Sequence, residues 1–298
     1  TIIISFLAFS QIKLAGSATT SLRVVSGSIE QTRKLEEFPQ MDIDGKDIKP
    51  TTFDISFDNV EFSYSGKKIL DDISVKIPQN QMTAIVGPSG AGKTTFCNLI
   101  ARFWDVEKGE ISIGRHNIKE YSLESLMRQI SMVFQNVYLF QDTIENNIKF
   151  AKPDATHEEV IEAAKKACCH EFIMKLPEQY ETVIGEGGAS LSGGERQRIS
   201  IARAMIKNAP IIIFDEATAN VDPENEDKLQ VAMEELTRNK TVIMIAHRLK
   251  TIKNANQILV LANGKINQKG THEELIQAEG IYKNFVEARQ KAVNWKLS

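Results

Sequence analysis

The sequence predicts an α/β fold: a parallel sheet core, an antiparallel β layer, an inserted all-helical subdomain and an N-terminal helix. Three observations carry that prediction. "MTAIV" (82–86), "IIIF" (211–214) and "TVIMIA" (241–246) are short, nearly continuous apolar runs, the pattern of strands buried on both faces of a parallel sheet. "ISFDNVEFSY" (55–64), followed by Ile73, Val75 and Ile77 alternating with polar residues, reads as antiparallel strands. Between Asp142 and Asn208 helical patterns such as "HEEVIEAAKKA" dominate and no buried strand run appears, so this stretch reads as an insertion in the α/β core.

In chain order, the first segment (1–35) opens on "TIIISFLAF", shorter than the roughly 20 apolar residues that span a bilayer. No basic segment or cleavage site marks it as a signal peptide. Ala8, Ile12, Ala15, Ala18, Leu22, Val25 and Ile29 recur at helical spacing and predict a helix that continues past the apolar run. Two readings stay open at this point: a membrane helix emerging into water, or an ordinary helix packed on its own domain. Residues 36–52, polar and broken by Pro39, Gly45 and Pro50, read as a linker, and 53–298 as the main domain. A one-residue slip in "ISFDNVEFSY" predicts a bulge or turn. Asn263 and Gly264 between "QILVLA" and "KINQKG" predict a hairpin.

Lysine and arginine total 36 against 39 acidic residues among 298, a net charge of -3. No basic block gives the footprint of a nucleic-acid binder. Cys97, Cys168 and Cys169 have neither disulfide-framework nor zinc-site spacing and read as thiols of a reducing compartment.

"GPSGAGKTT" (87–95) supplies the spacing G-x-x-x-x-G-K-[ST] at Gly87, Gly92, Lys93 and Thr94, between a buried strand and the helical "TTFCNLIARFW". Around Pro88, Ser89, Gly90 and Ala91 the backbone N–H groups can converge on phosphate oxygens, and the helix N-terminus adds positive potential. Lys93 can reach the β and γ phosphates, and the Thr94 hydroxyl, followed by Thr95, can bind Mg²⁺. The run "IIIFDE" brings Asp215 and Glu216 to a strand end, where Asp215 can hold the magnesium shell and Glu216 can orient or deprotonate a water. His247 closes "TVIMIA". In "LSGGERQR" (191–198), Ser192 and Glu195 have the form of a capping box. That leaves Gly193 and Gly194 unexplained, since a bare glycine pair at a helix start lets an anion approach the backbone.

With "LSGGERQR" upstream of "IIIFDE", the chain resembles an ATP-binding cassette (ABC) domain from residue 55 to about 290, this peptide being that superfamily's signature. The resemblance implies a P-loop NTPase core with a helical subdomain at about 136–208. It also implies that Tyr64 in "FSYSG" stacks on adenine and that Gln135 in "MVFQNVYLF" meets Mg²⁺ and links to the membrane part. His247 in "IAHRL" would contact the γ phosphate, and Asp222 in "ATANVD" would lie on the loop that crosses to the partner. Where the family commonly has Ser-Ala-Leu-Asp, this chain has Ala219, Asn220, Val221 and Asp222, without the first hydroxyl. In the family, two cassettes sandwich two ATPs head to tail, the phosphate loop of one chain facing Ser192, Gly193, Gly194 and Glu195 of the other.

Two further stretches resemble the exporter, half-transporter branch: "GEGGASLSGGE" (185–195) and "FQNVYLFQDTIENNI" (134–148). That branch implies an ATP-hydrolysing motor on the cytoplasmic face of the cell membrane, with ATP and Mg²⁺ as cofactors. Its partners would be a second cassette, in a homodimer or as a paired half-transporter, and a transmembrane domain outside this chain, residues 1–35 being the end of its last helix, with no nucleic acid bound. A soluble ABC ATPase acting on nucleic acid or ribosomes is the first rival; it calls for a long coiled coil or tandem cassettes, whereas only about a hundred residues without sustained heptads separate phosphate loop and signature. The second rival is an importer ATPase subunit, against which the apolar start argues. The cargo is not encoded in these residues.

Overall fold

A computed structural model describes residues 2–36, 44–188, 190–215, 223–246 and 249–296. Two compact units divide it, Thr1–Asp42 and Ile43–Ser298. The first holds α1 (Ile2–Glu36), whose last turn carries Arg33 and Lys34, a favourable end for cations on a helix dipole. Thr20, Ser28 and Thr32 return their hydroxyls to the carbonyls four residues back. Among the described residues no helix is long and apolar enough to cross a membrane.

In the second unit the antiparallel layer comes first in sequence: β1 (Ile55–Tyr64) and β2 (Lys67–Ile77), then, after β3 (Met82–Val86) and α2 (Lys93–Ile100), β4 (Lys108–Ile113) and β5 (His116–Asn117). These four strands pair in the order β2-β1-β4-β5, all antiparallel. The slip in "ISFDNVEFSY" is a register shift between Phe57 and Val60, with Asn59 at φ 47, inside one continuous strand. Next come α3 (Leu123–Gln129) and β6 (Ile130–Val133). The insertion follows as α4 (Ile144–Lys149), α5 (His157–Lys166), α6 (His170–Ile173) and α7 (Gly193–Lys207). The chain returns through β7 (Ile211–Asp215), α8 (Pro223–Thr237), β8 (Thr241–Ile245), α9 (Leu249–Lys253), β9 (Gln257–Ala262), β10 (Lys265–Gly270), α10 (His272–Gln277) and α11 (Ile281–Lys296).

The second sheet runs β10-β9-β3-β8-β7-β6 and is parallel except for β10. Beyond the three strands read as parallel it gains β6, the predicted hairpin supplies β9 and β10, and "TTFCNLIARFW" stays helical only to Ile100. There Arg102 turns to φ 51 and its buried guanidinium ties to Asp105 at 2.9 Å.

Strand alternation splits the sheet's side chains between two cores. Ile85, Ile211, Ile213, Ile243, Ile245 and Leu259 join α2 and the antiparallel layer, where Phe57 stacks on Phe96 at 4.2 Å. On the other face Val86, Ile212, Phe214, Val242, Met244 and Val260 meet the helical insertion. The phosphate-loop segment thus leaves a strand held from both sides.

Candidate nucleotide site

The parallel register aligns the strands that precede several of the candidate residues. Ile85 pairs with Ile245, Ile245 with Asp215, and Phe214 with Val133, so the strands leading into Gly87, His247, Glu216 and Gln135 all end side by side. Ligands of open α/β sheets bind at this carboxyl edge. Glu216, Asp222 and His247 themselves lie outside the described residues.

Between β3 and α2 the first and last glycines of the loop have no room for a side chain. A Cβ on Gly87 would fall 2.0 Å from the Leu261 carbonyl oxygen. Gly92, at φ 97, would meet the Leu70 Cδ2 at 2.7 Å. Pro88, Ser89, Gly90 and Thr94 are exposed, whereas Ala91, Gly92, Lys93 and Thr95 are buried. Side chains cap α3, α4, α5, α7 and α10, through Ser122, Thr143, Thr156, Ser192 and Thr271. By contrast α2 starts at Gly92 with no side-chain cap, which leaves its first turn suited to an anion. Lys93 Nζ donates to the carbonyls of Gly87 at 3.1 Å and Pro88 at 2.9 Å, inside the loop.

Asp215, half-buried, ends β7 beside α2, and its charge reaches Cys97 on that helix. Burial, then that charge, pushes the Cys97 thiol far up. A hydroxyl at Thr94, a carboxylate at Asp215 and an amide at Gln135 make an all-oxygen set, the hard donors that Mg²⁺ takes together with phosphates and water. Tyr64 is half-buried at the end of β1 and sits edge-on to Phe62 at 4.8 Å and to Trp104 at 5.2 Å. Trp104 is a neighbour the sequence analysis missed; "FW" after the helix was its only signal.

The signature stretch lies in the helical insertion. Ser192 Oγ accepts the Glu195 N–H at 3.3 Å, and Glu195 Oε2 accepts the Ser192 N–H at 2.8 Å. Neither bond uses the amide of Gly193 or Gly194. Whereas α2 packs on β7 and β8, α7 packs on α4, α5, α8 and β6, so the phosphate loop and the signature helix belong to different layers of one chain.

Gln135 is exposed two residues past β6 and borders a groove of about 500 Å³ lined by Phe134, Tyr138, Phe140, Phe150, Arg203 and Lys207 among others. The sequence analysis did not single out this groove. Arg203 donates to Asn147 O at 2.8 Å, to Asn147 Oδ1 at 3.0 Å and to Tyr138 O at 3.2 Å, and lies over the Phe140 and Phe150 rings. Burial pushes its pKa down to about 10. Lys207, lowered by burial as well, donates to Ile130 O at 2.6 Å.

Residues 70–219 match the family model described as ABC transporter. An ATP-dependent lipid A-core flippase of Desulfotalea psychrophila is 51% identical over 235 residues, 79% of this chain and 41% of that protein. The flippase of the same name from Haemophilus influenzae (strain ATCC 51907 / DSM 11121 / KW20 / Rd) is 47% identical over 250 residues, 83% and 43%. Among solved structures, a bacterial Atm1-family ABC exporter with ATP bound superposes with a TM-score of 0.82 at 38% identity, covering 89% of this chain and 47% of that one. The chain spans less than half the length of each of these relatives.

Proposed function

The chain belongs to the ABC transporter family, and from that premise we propose that it is the ATP-binding and ATP-hydrolysing motor of an exporter, working at the cytoplasmic face of a cell membrane. The observation that carries this reading is the contrast between two helix starts. α2 begins on glycine without a side-chain cap and holds a lysine inside its loop; α7 begins on a complete capping box that leaves a glycine pair at the tip. The first suits the triphosphate bound by its own chain, the second the γ phosphate bound by a partner.

In that reaction the Gly87–Thr95 loop wraps the β and γ phosphates, and the Lys93 ammonium exchanges its two loop carbonyls for phosphate oxygens. Tyr64 stacks on adenine, its ring plane fixed by Phe62 and Trp104. Thr94, Asp215 and Gln135 would hold Mg²⁺, which supplies charge neutralisation at the phosphates when bound. Glu216 orients and deprotonates the attacking water, His247 contacts the γ phosphate, and Asp222 lies at the crossing to the second cassette. The apolar groove beside Gln135 supports a cytosolic segment of the transmembrane domain as the other partner.

The relatives' names concern lipid A-core and export, and the cargo of this chain is assigned no further than an exported substrate. The test is sedimentation of Glu216→Gln with and without ATP and Mg²⁺. A dimer that forms only with nucleotide and disappears in Glu216→Gln/Ser192→Arg is expected. A monomer that binds ATP but never dimerises would overturn the homodimer, and a chain that fails to bind ATP would overturn the motor.

A further inference from the structure

We propose that the tip of the β9–β10 hairpin, with Gly264 and Lys265 as positioning residues, sets the geometry of the phosphate loop through β2. The proposal rests on the nucleotide reading above. Asn263 at φ 52 and Gly264 at φ 74 form a tight turn of the kind that two successive left-handed residues build. The turn is braced from within, since the Asn267 side chain donates to Ala262 O at 2.8 Å and to Lys265 O at 3.2 Å.

That tip is fastened to the middle of β2. Asp71 N–H donates to Gly264 O at 2.9 Å, and a Cβ on Gly264 would lie 2.6 Å from Ile69 O, a backbone atom that cannot swing aside. Beside this bond the Asp71 carboxylate takes Lys265 at 3.1 Å and Lys68 at 2.7 Å. The two joined elements are also the two walls of the phosphate loop. At the end of β9 next to the turn, Leu261 O faces the Cα of Gly87, the loop's first residue; on β2, Leu70 and Ile69 face Gly92, its last glycine. Both contacts are too close for one added carbon. A shift of the hairpin against β2 therefore changes the span between Gly87 and Gly92 and re-aims the amides between them. Misplacements of this size are costly to a preorganised site, because its donors no longer converge.

The experiment compares MgATP binding and turnover by the full chain carrying Gly264→Ala, Lys265→Glu or Gly114→Ala. Gly114 is a matched control: at φ 62 its Cβ would lie 2.7 Å from Thr52 O, in the β4–β5 hairpin of the antiparallel layer. The expected result is that Gly264→Ala raises the Kd and KM for MgATP by roughly tenfold while kcat at saturating ATP stays near wild type. Lys265→Glu, which sets a like charge against Asp71, moves the same constants in the same direction by a smaller factor. Gly114→Ala loses thermal stability and keeps wild-type affinity. Folded Gly264→Ala with unchanged affinity, or Gly114→Ala weakened equally, would overturn the proposal. Should Gly264→Ala fail to fold, unchanged affinity in Lys265→Glu overturns it instead. Wild-type chain that binds no MgATP refutes the nucleotide reading itself, a different outcome from a wild type that binds and variants that do not differ.

Discussion

Lys93 shows how much of a site one residue can carry. Buried among loop backbone, its ammonium is held by two carbonyls, so on the proposed reading the positive charge is in place before a phosphate arrives. Replacing a preorganised charge-stabilising group typically costs on the order of 10²–10³ in turnover. Lys93→Ala is expected to lose at least that much ATPase activity, measured by phosphate release, while keeping its melting temperature within a few degrees. The thiols give a contrasting case. Burial pushes the Cys169 thiol up to about 12 and Cys97 further still. A thiol reagent at pH 8 is therefore expected to reach the half-buried Cys168 first in native protein, and all three cysteines only after unfolding. The linkage runs one way: the unfolded chain releases a Cys169 proton near its ordinary value of about 8.5, and the folded chain keeps it to about 12. Stability from that thiol is whole below the first value and falls as pH rises toward the second, so Cys169→Ala is expected to flatten the alkaline decline of the urea midpoint. A midpoint that declines as steeply without the thiol would refute the assignment.

Elements are where reading from sequence succeeds and stops. The placements of Lys93, Asp215 and Ser192 were legible because their signals are local: a loop between strand and helix, a carboxylate ending an apolar run, a hydroxyl three residues before a glutamate. β6 was not, since "ISMV" is four residues long and its apolar signal depends on pairing with β7. Trp104 beside Tyr64, and Gly264 against Ile69, arise from segments far apart in the chain, which no local pattern reports. The same holds for Asn147. It accepts from Phe140 N at 2.9 Å and Arg203 Nη2 at 3.0 Å, and donates to the carbonyls of Phe140 and Thr143 at 3.0 Å each. One side chain thus pins the aromatic loop after Gln135 to α4 and α7. Asn147→Ala strands the part-buried Phe140 N–H and part of a guanidinium, and is expected to cost about 1–3 kcal/mol. Equilibrium urea unfolding would show this as a lower midpoint at unchanged slope. A loss below about 0.5 kcal/mol would mean that water replaces the amide without penalty.

At the scale of the whole molecule, the separation of the two helix starts makes a claim about assembly. Within one chain, α2 packs on the parallel sheet and α7 in the helical layer. A complete site on the proposed reading takes the phosphate loop from one copy and the signature tip from another, so closed twofold pairing gives two equivalent sites. Two inactive variants should then repair one another. Lys93→Ala lacks a working phosphate loop but keeps Ser192; Ser192→Arg keeps Lys93 but obstructs the tip. A pair of like chains has two broken sites, and for Ser192→Arg such a pair is not expected to close on ATP. Mixing equal amounts makes half of all encounters mixed, and each mixed pair has one site with both halves intact. If the sites hydrolyse independently, the mixture recovers about a quarter of wild-type activity, with the ATP dependence of the wild type. Recovery should also scale with total protein concentration, because the active species is a dimer. If the two helix starts served one chain in cis, neither variant could supply what the other lacks, and the mixture would stay as inactive as its components. Near-zero recovery from two variants that are each folded and each inactive alone would mean that the two helix starts do not combine across copies, and would overturn the trans reading.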